Sequence, residues 1–177
     1  MTSIGETFTS FSTIKLRQLV QRIGVCVEKL DDDQLWLRGE ENSNAIGNLC
    51  LHLNGNVRQW ILHGVAGQPD LRKRDEEFAA RGGIERTELI GRLRATVEEA
   101  CAVIESLGEE DLLRVVRPQN YKVRALEAVF HVVEHFAQHT GQIIFATKAM
   151  TGADPGLYRH LSGTSNPPPP PSNETMP

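Results

Sequence analysis

Apolar residues recur with the 3.6-residue period of an α-helix in four long stretches, and no stretch shows the convincing apolar–polar alternation of a β-strand. The four stretches are residues 12–30, 44–64, 87–107 and 123–151. A helix with one apolar face gains most of its stability by packing that face against other elements. The sequence therefore predicts an all-α fold, an antiparallel four-helix bundle.

Two segments outside these stretches set the predicted domain organisation. Residues 68–86 (QPDLRKRDEEFAARGGIER) join the second and third predicted helices and are rich in charge, so we expect a long crossover loop on the surface. Residues 164–177 include five consecutive prolines and no aromatic residue, a composition that favours a disordered tail. The sequence predicts one helical domain over residues 1–163, followed by this tail.

Charge, hydropathy and cysteine content narrow the classes of function. The formal net charge is −4, so there is no basic field to attract nucleic acid. The N-terminus (MTSIGETFTS) lacks the features of a signal peptide, and no stretch approaches the roughly 18 apolar residues of a membrane span. We expect a cytoplasmic protein with no membrane partner. Cys26, Cys50 and Cys101 lie among apolar residues, which predicts buried free thiols.

The second predicted helix has more apolar residues than one core face needs. Arg58 is its only charged residue between Ala45 and Gly64. Leu51 and Leu62 lie outside its main apolar face, so we expect a second apolar partner for them. This pattern predicts a homodimer.

Histidines are concentrated on the fourth predicted helix. His131, His135 and His139 recur at every fourth residue and therefore lie along one side of the helix, together with Gln138 and Gln142. A stripe that faces solvent usually carries Glu and Lys, whereas His and Gln suit a cavity that needs neutral ligands and hydrogen-bond donors. A solvated face is the alternative interpretation of the three histidines.

A matching polar arc runs along the second predicted helix. It contains Asn48, His52, Asn56, Gln59 and His63. Two histidines spaced i and i+4 can bind one metal ion, and a third from another helix completes a three-His site with open coordination positions. The two arcs together predict such a site, with a pair of ligands from one helix and a single ligand from the other.

Two other metal-site patterns are less consistent with the sequence. Residues 131–135 spell HxxEH, the inverted zinc-protease motif, but Glu134 projects about 100° away from His135 around the helix and no other part of a protease is visible. No Glu is followed three residues later by a His, which disfavours a di-iron carboxylate bundle.

Three segments of the chain resemble the DinB-like superfamily of bacterial four-helix metal proteins, also called DinB/YfiT-like. The segments read SNAIGNLCLHLNGNVRQWI, RKRDEEF and HVVEHFAQHTGQI. The resemblance covers residues 8–158 and is greatest to a branch that has an Arg-x-Arg-x-x-Glu-Phe loop before the third helix. Residues 72–78 match that loop, and we expect them to anchor the crossover.

The resemblance also implies which histidines are ligands. In the superfamily, one His from the second helix joins an HxxxH pair from the fourth, often followed by Gly-Gln. Gly141 and Gln142 set this register, so His52, His135 and His139 are the implied metal ligands. The ion would be divalent, with zinc and nickel both suited to three imidazoles.

Some members of the superfamily are thiol transferases, including bacillithiol S-transferases and a mycothiol-dependent maleylpyruvate isomerase. The resemblance implies a metal that activates a low-molecular-weight thiol for transfer to a small electrophile. His131 and Gln142 would then orient the reactants, and Asn56 and Gln59 would donate hydrogen bonds to the thiol cofactor. This arc lacks carboxylates that would repel an anionic sulfur. The alternatives are a non-catalytic metal-binding or stress-response scaffold and a metal-dependent hydrolase.

Overall fold

A computed structural model describes residues 2–40 and 42–158. The predicted tail, residues 164–177, lies outside the described residues. The α-helices are α1 (Ile4–Val27), α2 (Asp32–Trp36), α3 (Ile46–Val57), α4 (Arg74–Ala79), α5 (Arg86–Glu105), α6 (Glu109–Leu113) and α7 (Ala125–Thr151). A π-helix (Arg58–Val65) continues α3, and a 3-10 helix (Pro118–Asn120) lies between the short strands β1 (Val115–Val116) and β2 (Val123–Arg124).

The four long helices surround one apolar core. Helix α1 packs against α5 and α7, and α3 packs against the same two helices. Contacts between Arg17 and Glu98 and between Arg94 and Glu28 show that α1 and α5 run antiparallel. The all-α class is confirmed. The largest side chains that are completely buried include Leu16, Ile23, Leu53, Ile61, Leu93, Ile104 and Phe136.

Helix α1 begins eight residues before its predicted start. Ser3 and Glu6 form a reciprocal capping box, in which each side chain accepts a hydrogen bond from the other residue's backbone N–H, at 3.1 and 2.7 Å. The polar residues that follow also fit the helix, because the hydroxyls of Thr9, Ser12 and Thr13 donate to backbone carbonyls three or four residues earlier. Local hydrogen bonds therefore stabilise the first turns of α1, which lack the apolar periodicity on which the prediction was based.

The second predicted helix changes from α-helical to π-helical at Arg58. The N–H of Ala66 donates to the carbonyl of Ile61, five residues earlier, which is the hydrogen-bond pattern of a π-helix. Leu62 is 1% exposed and packs within its own chain, and Leu51 packs partly against the core. The apolar surface that predicted a homodimer is thus largely covered within the chain at these two positions. The homodimer stays a prediction.

The crossover is more ordered than the predicted surface loop. It contains α4, and the side chain of Glu77 is buried in it. Asn48 on α3 donates to the carbonyls of Glu77 and Ala80, both at 2.9 Å, and Arg38 donates to the carbonyl of Phe78. A charged segment can be partly buried here because its charges pair with each other.

The short strands were not predicted from the sequence. Val115 pairs with Arg124 and Val116 with Val123 in antiparallel register. Two residues on each strand are too few to produce a readable alternation.

The cysteine prediction is confirmed, since Cys26, Cys50 and Cys101 are all buried and free. Among the described residues, no helix combines the length and the apolar character needed to cross a membrane.

Candidate metal centre

Three histidines from two helices meet at one point of the structure. His52 lies on α3, and His135 and His139 lie one turn apart on α7. One ring nitrogen from each lies within 4.8 Å of the other two. In the described part of the chain, this is the only group of three or more His, Cys, Asp or Glu residues with that geometry. The group could hold a metal ion.

Antiparallel packing of the second and fourth long helices brings these residues together. The rings of His52 and His139 are 5.1 Å apart, while Trp60, two turns further along, faces His131 at 3.9 Å. His52 is 7% exposed, and His135 and His139 are partly buried. The Nε2 atoms of His52 and His135 are 2.9 Å apart.

The electrostatic environment favours uncharged imidazoles on α7. Burial, together with the neighbouring histidines, lowers the pKa of His135 to about 3. Burial also lowers the pKa of His139, although its hydrogen bond to Gln142 opposes the change. These rings are therefore neutral at pH 7 and have a nitrogen lone pair available for a metal.

Gln142 orients the ring of His139. Its Oε1 can only accept, so the 2.7 Å contact places the proton of His139 on Nδ1 and leaves Nε2 unprotonated. Such hydrogen bonds to the outer nitrogen hold metal-binding imidazoles in place. The structure thus places Gln142 beside a candidate ligand, at the periphery of the three-His group.

A carboxylate that the sequence analysis missed lies behind His52. Oε2 of Glu77 is 3.1 Å from His52 Nδ1, and Arg72 donates to both carboxylate oxygens at 2.8 Å. Burial would raise the pKa of Glu77, but the hydrogen bonds from Arg72 and His52 outweigh this effect and lower it. The predicted polar arc itself contains no carboxylate, but Glu77 reaches His52 from the crossover, and Arg72 compensates its buried charge.

Residues 72–78 therefore do more than anchor the crossover, since they also contact a candidate ligand. One sequence signal for this contact is Gly55, three residues after His52 on α3. A Cβ atom at position 55 would collide with the carboxylate of Glu77. The absence of a side chain at this position lets the crossover reach the histidine.

The two other predicted cofactor-binding residues have different surroundings. Gln59 is hydrogen-bonded to the crossover. Its Oε1 accepts from Arg72 at 2.9 Å, and its Nε2 donates to Asp70 at 2.8 Å. Asn56 is 4% exposed, and its Oδ1 has no hydrogen-bond partner among the described residues. The structure thus brings Gln59 to Arg72, while Asn56 keeps an unused acceptor.

His131 lies outside the three-His group but next to it. Its ring stacks on His135 at a centroid distance of 5.5 Å and packs against Trp60. Burial lowers its pKa, so this imidazole is also neutral at pH 7. Tyr121 stacks on Trp60 at 5.9 Å and extends the row of rings to the surface.

A cavity of about 340 Å³ lies between α3 and the crossover. Arg72 and Glu77 line it, together with Leu51 and Leu62. A small molecule in this cavity would contact the Arg72–Glu77 pair, which faces Nδ1 of His52. The cavity therefore lies on the Nδ1 side of His52.

A family model described as "Protein of unknown function (DUF1572)" matches residues 3–163. The chain belongs to this family. No curated protein matches the chain.

Two solved structures have the same fold as this chain. A conserved protein from Enterococcus faecalis superimposes with a TM-score of 0.67 at 17% identity, covering 82% of this chain and 98% of the other. A DinB-like protein, YjoA, from Bacillus subtilis superimposes with a TM-score of 0.62 at 18% identity, covering 81% and 94%. The predicted DinB-like fold is thereby confirmed.

Proposed function

We propose that His52, His135 and His139 bind one divalent metal ion, either zinc or nickel, and that the protein is a metal-dependent transferase for a low-molecular-weight thiol. The observation that carries the proposal is the convergence of three imidazole nitrogens within 4.8 Å. Neutral nitrogen ligands suit first-row divalent ions. No fourth His, Cys, Asp or Glu joins this group among the described residues, which leaves coordination positions for a reactant.

The histidine geometry fits such an ion. Two nitrogens on one tetrahedral zinc, each at ~2.0–2.1 Å from the metal, lie about 3.3 Å apart. The 2.9 Å separation of the Nε2 atoms of His52 and His135 is close to this value. Without an ion, the N–H of one of these nitrogens donates a hydrogen bond to the lone pair of the other. The outer nitrogen of each of two rings has a hydrogen-bond acceptor. Nδ1 of His52 contacts Glu77, and Nδ1 of His139 contacts Gln142.

When bound, the ion would supply the positive charge that lowers the pKa of a thiol and holds its sulfur as an anion. The residues around the group tolerate such an anion. The charge of Glu77 is compensated by Arg72 and lies on the far side of His52. His131 is neutral and can accept the thiol proton, and the amide of Gln142 keeps its N–H donors.

The transfer itself is a substitution at carbon. The sulfur forms a bond to the electrophilic carbon, and the leaving group departs with its bonding electrons. The thiol proton passes to His131 or to solvent. Binding of the thiol beside His131 would hold the sulfur in reach of the electrophile and away from bulk water.

The test is a rate comparison between two metal-loaded proteins. The wild type and His139→Ala are incubated with bacillithiol, mycothiol, glutathione or cysteine and with chlorodinitrobenzene. We expect thiol consumption by the wild type with at least one thiol, and a rate close to background for the variant. Equal rates with all four thiols would contradict the transferase. Turnover of ester substrates without thiol would instead indicate a hydrolase, and metal binding without turnover a scaffold.

A further inference from the structure

Two charged residues of the crossover meet the outer nitrogen of His52 in a nearly dry environment. The side chains of Arg72 and Glu77 are 3% and 10% exposed, and that of His52 is 9% exposed. Burial of an ion pair costs solvation free energy, which must be offset by good geometry. The two parallel 2.8 Å hydrogen bonds between Arg72 and Glu77 provide that geometry.

Nδ1 of His52 has two neighbours of opposite type. Oε2 of Glu77, at 3.1 Å, can only accept a hydrogen bond, and Nη2 of Arg72, at 3.0 Å, can only donate one. A neutral imidazole satisfies one of them at a time. With the proton on Nδ1, the lone pair of Nε2 faces His135. With the proton on Nε2, that nitrogen cannot bind a metal.

Metal binding at Nε2 requires the first arrangement, and Glu77 supplies what that arrangement needs. Each nitrogen of Arg72 has an acceptor other than His52, because Nε and Nη2 donate to Glu77 and Nη1 donates to Gln59 at 2.9 Å. A bond from Nδ1–H to the carboxylate is charge-assisted, as a bond from the guanidinium to an unprotonated Nδ1 would also be. Glu77 is therefore the acceptor that the Nδ1–H tautomer requires.

We propose that Glu77 is a positioning residue that keeps His52 in the tautomer whose Nε2 is free to bind metal, and that Arg72 and Gly55 hold the carboxylate in place. The part of this proposal that concerns metal rests on the proposed function. Gly55 gives the carboxylate its space on α3, and Asn48 fixes the backbone of Glu77 through its carbonyl. The crossover thus provides the hydrogen-bond partner of His52, whereas α3 and α7 provide the histidines themselves.

The first test uses metal-free protein and needs no activity. Long-range ¹⁵N NMR of the histidine rings reports which nitrogen is protonated. We expect Nδ1–H for His52 in the wild type. In Glu77→Gln, the amide oxygen will pair with Arg72 and the amide NH₂ will donate to His52, so the proton moves to Nε2. Glu76→Gln is the matched control, because Glu76 is exposed and pairs with Lys73, and we expect it to leave His52 unchanged. A wild-type Nε2–H, or an unchanged tautomer in Glu77→Gln, would overturn the proposal.

The second test is zinc affinity, measured by competition with a chromophoric chelator. We expect Glu77→Gln to bind zinc about 10–100-fold more weakly than the wild type, and Glu76→Gln to match the wild type. If circular dichroism shows that Glu77→Gln is unfolded, Gly55→Ala replaces it, since this change displaces the carboxylate without altering charge, and the same weakening is expected.

The two proposals fail in different ways. Zinc binding by the wild type with equal affinity in a folded Glu77→Gln or Gly55→Ala protein overturns the positioning role and leaves the metal centre intact. A wild type that binds no divalent metal overturns the proposed function, while the tautomer measurement still decides the role of Glu77.

Discussion

The ring of His131 packs against the indole of Trp60, with the two centroids 3.9 Å apart and the planes inclined by 32°. Trp60 belongs to the π-helix, so this contact joins α7 to the irregular half of the second long helix. The contact also occupies one side of the His131 ring. His131 is therefore placed beside the three-His group by packing, and it does not depend on a metal for its position.

This contact predicts that replacing His131 lowers the rate of thiol transfer more than it lowers the affinity for zinc. We expect His131→Ala to change zinc affinity less than about 3-fold, since the outer partners whose loss costs more are hydrogen-bonded to a ligand ring, whereas His131 only stacks on His135. Thiol transfer should fall by about 10²–10⁴-fold if His131 accepts the thiol proton. Chelator competition and the chlorodinitrobenzene assay measure the two effects. Loss of zinc affinity equal to that of His135→Ala would assign His131 to the metal instead.

Removal of a ligand should abolish tight metal binding. We expect His52→Ala, His135→Ala and His139→Ala each to weaken zinc binding by more than about 100-fold, which exceeds the usual effect of an outer-sphere partner. His63→Ala is the matched control, because Nδ1 of His63 contacts the carbonyl of Gln68 at 2.7 Å and lies outside the three-His group. Elemental analysis after dialysis is the measurement. Full zinc occupancy in the first three variants would refute the assignment.

Much of the fold follows from periodicity in the sequence. The predicted third and fourth helices, residues 87–107 and 123–151, match α5 and α7 to within two residues, because long helices with one apolar face leave a clear pattern. Spacing along α7 and the polar arc of α3 also indicated which histidines could meet. Both signals depend only on residues close together in the sequence, so they can be recognised without knowing how distant segments pack.

The contacts made by the crossover could not be read in the same way. His52 and Glu77 are 25 residues apart, and their contact depends on how the crossover folds back over α3. A charge-rich segment gives the same composition whether it is solvated or whether its charges pair internally, as Arg72 and Glu77 do. The π-helix could not be predicted from the sequence either, because one extra residue per turn shifts the apolar pattern without interrupting it.

The burial of Leu62 leads to a prediction about stability. Leu62→Ala should lower the free energy of unfolding by about 2–5 kcal/mol, because it leaves a cavity in the core. Leu71→Ala is the control, since Leu71 is 77% exposed, and its effect should stay within about 0.5 kcal/mol. Urea denaturation followed by circular dichroism measures both. An equally small effect for Leu62→Ala would show that Leu62 is not part of the core.

Light scattering decides the oligomeric state. We expect the wild type to be a homodimer at tens of micromolar, a concentration above the Kd of ordinary stable interfaces. Leu62→Ala should leave the measured mass unchanged, because Leu62 packs within its own chain. A monomeric wild type at this concentration would show the homodimer prediction to be wrong.

The proline-rich segment should be dispensable. Residues 164–177 offer no aromatic side chain for burial, and the three histidines of the centre all precede them. We expect a chain that ends at Gly163 to keep its zinc affinity and to melt within about 4 °C of the full chain, which corresponds to roughly 1 kcal/mol for a domain of this size. A larger fall in Tm by differential scanning calorimetry would show that the segment packs against the domain.

Two helical glycines should respond to alanine in opposite directions. Gly64 lies in the π-helix, where a Cβ atom would come within 2.8 Å of Cβ of Pro118. Gly64→Ala must push the 3-10 helix away and should cost about 1–3 kcal/mol, and the displacement should also loosen Tyr121 from Trp60. Gly91 is exposed in α5 with nothing near the added Cβ, so Gly91→Ala should stabilise the protein by about 1 kcal/mol through helix propensity. Urea denaturation gives both free energies, and tryptophan fluorescence reports the change around Trp60. If Gly64→Ala were as stabilising as Gly91→Ala, the close approach of Pro118 to the π-helix would be wrong.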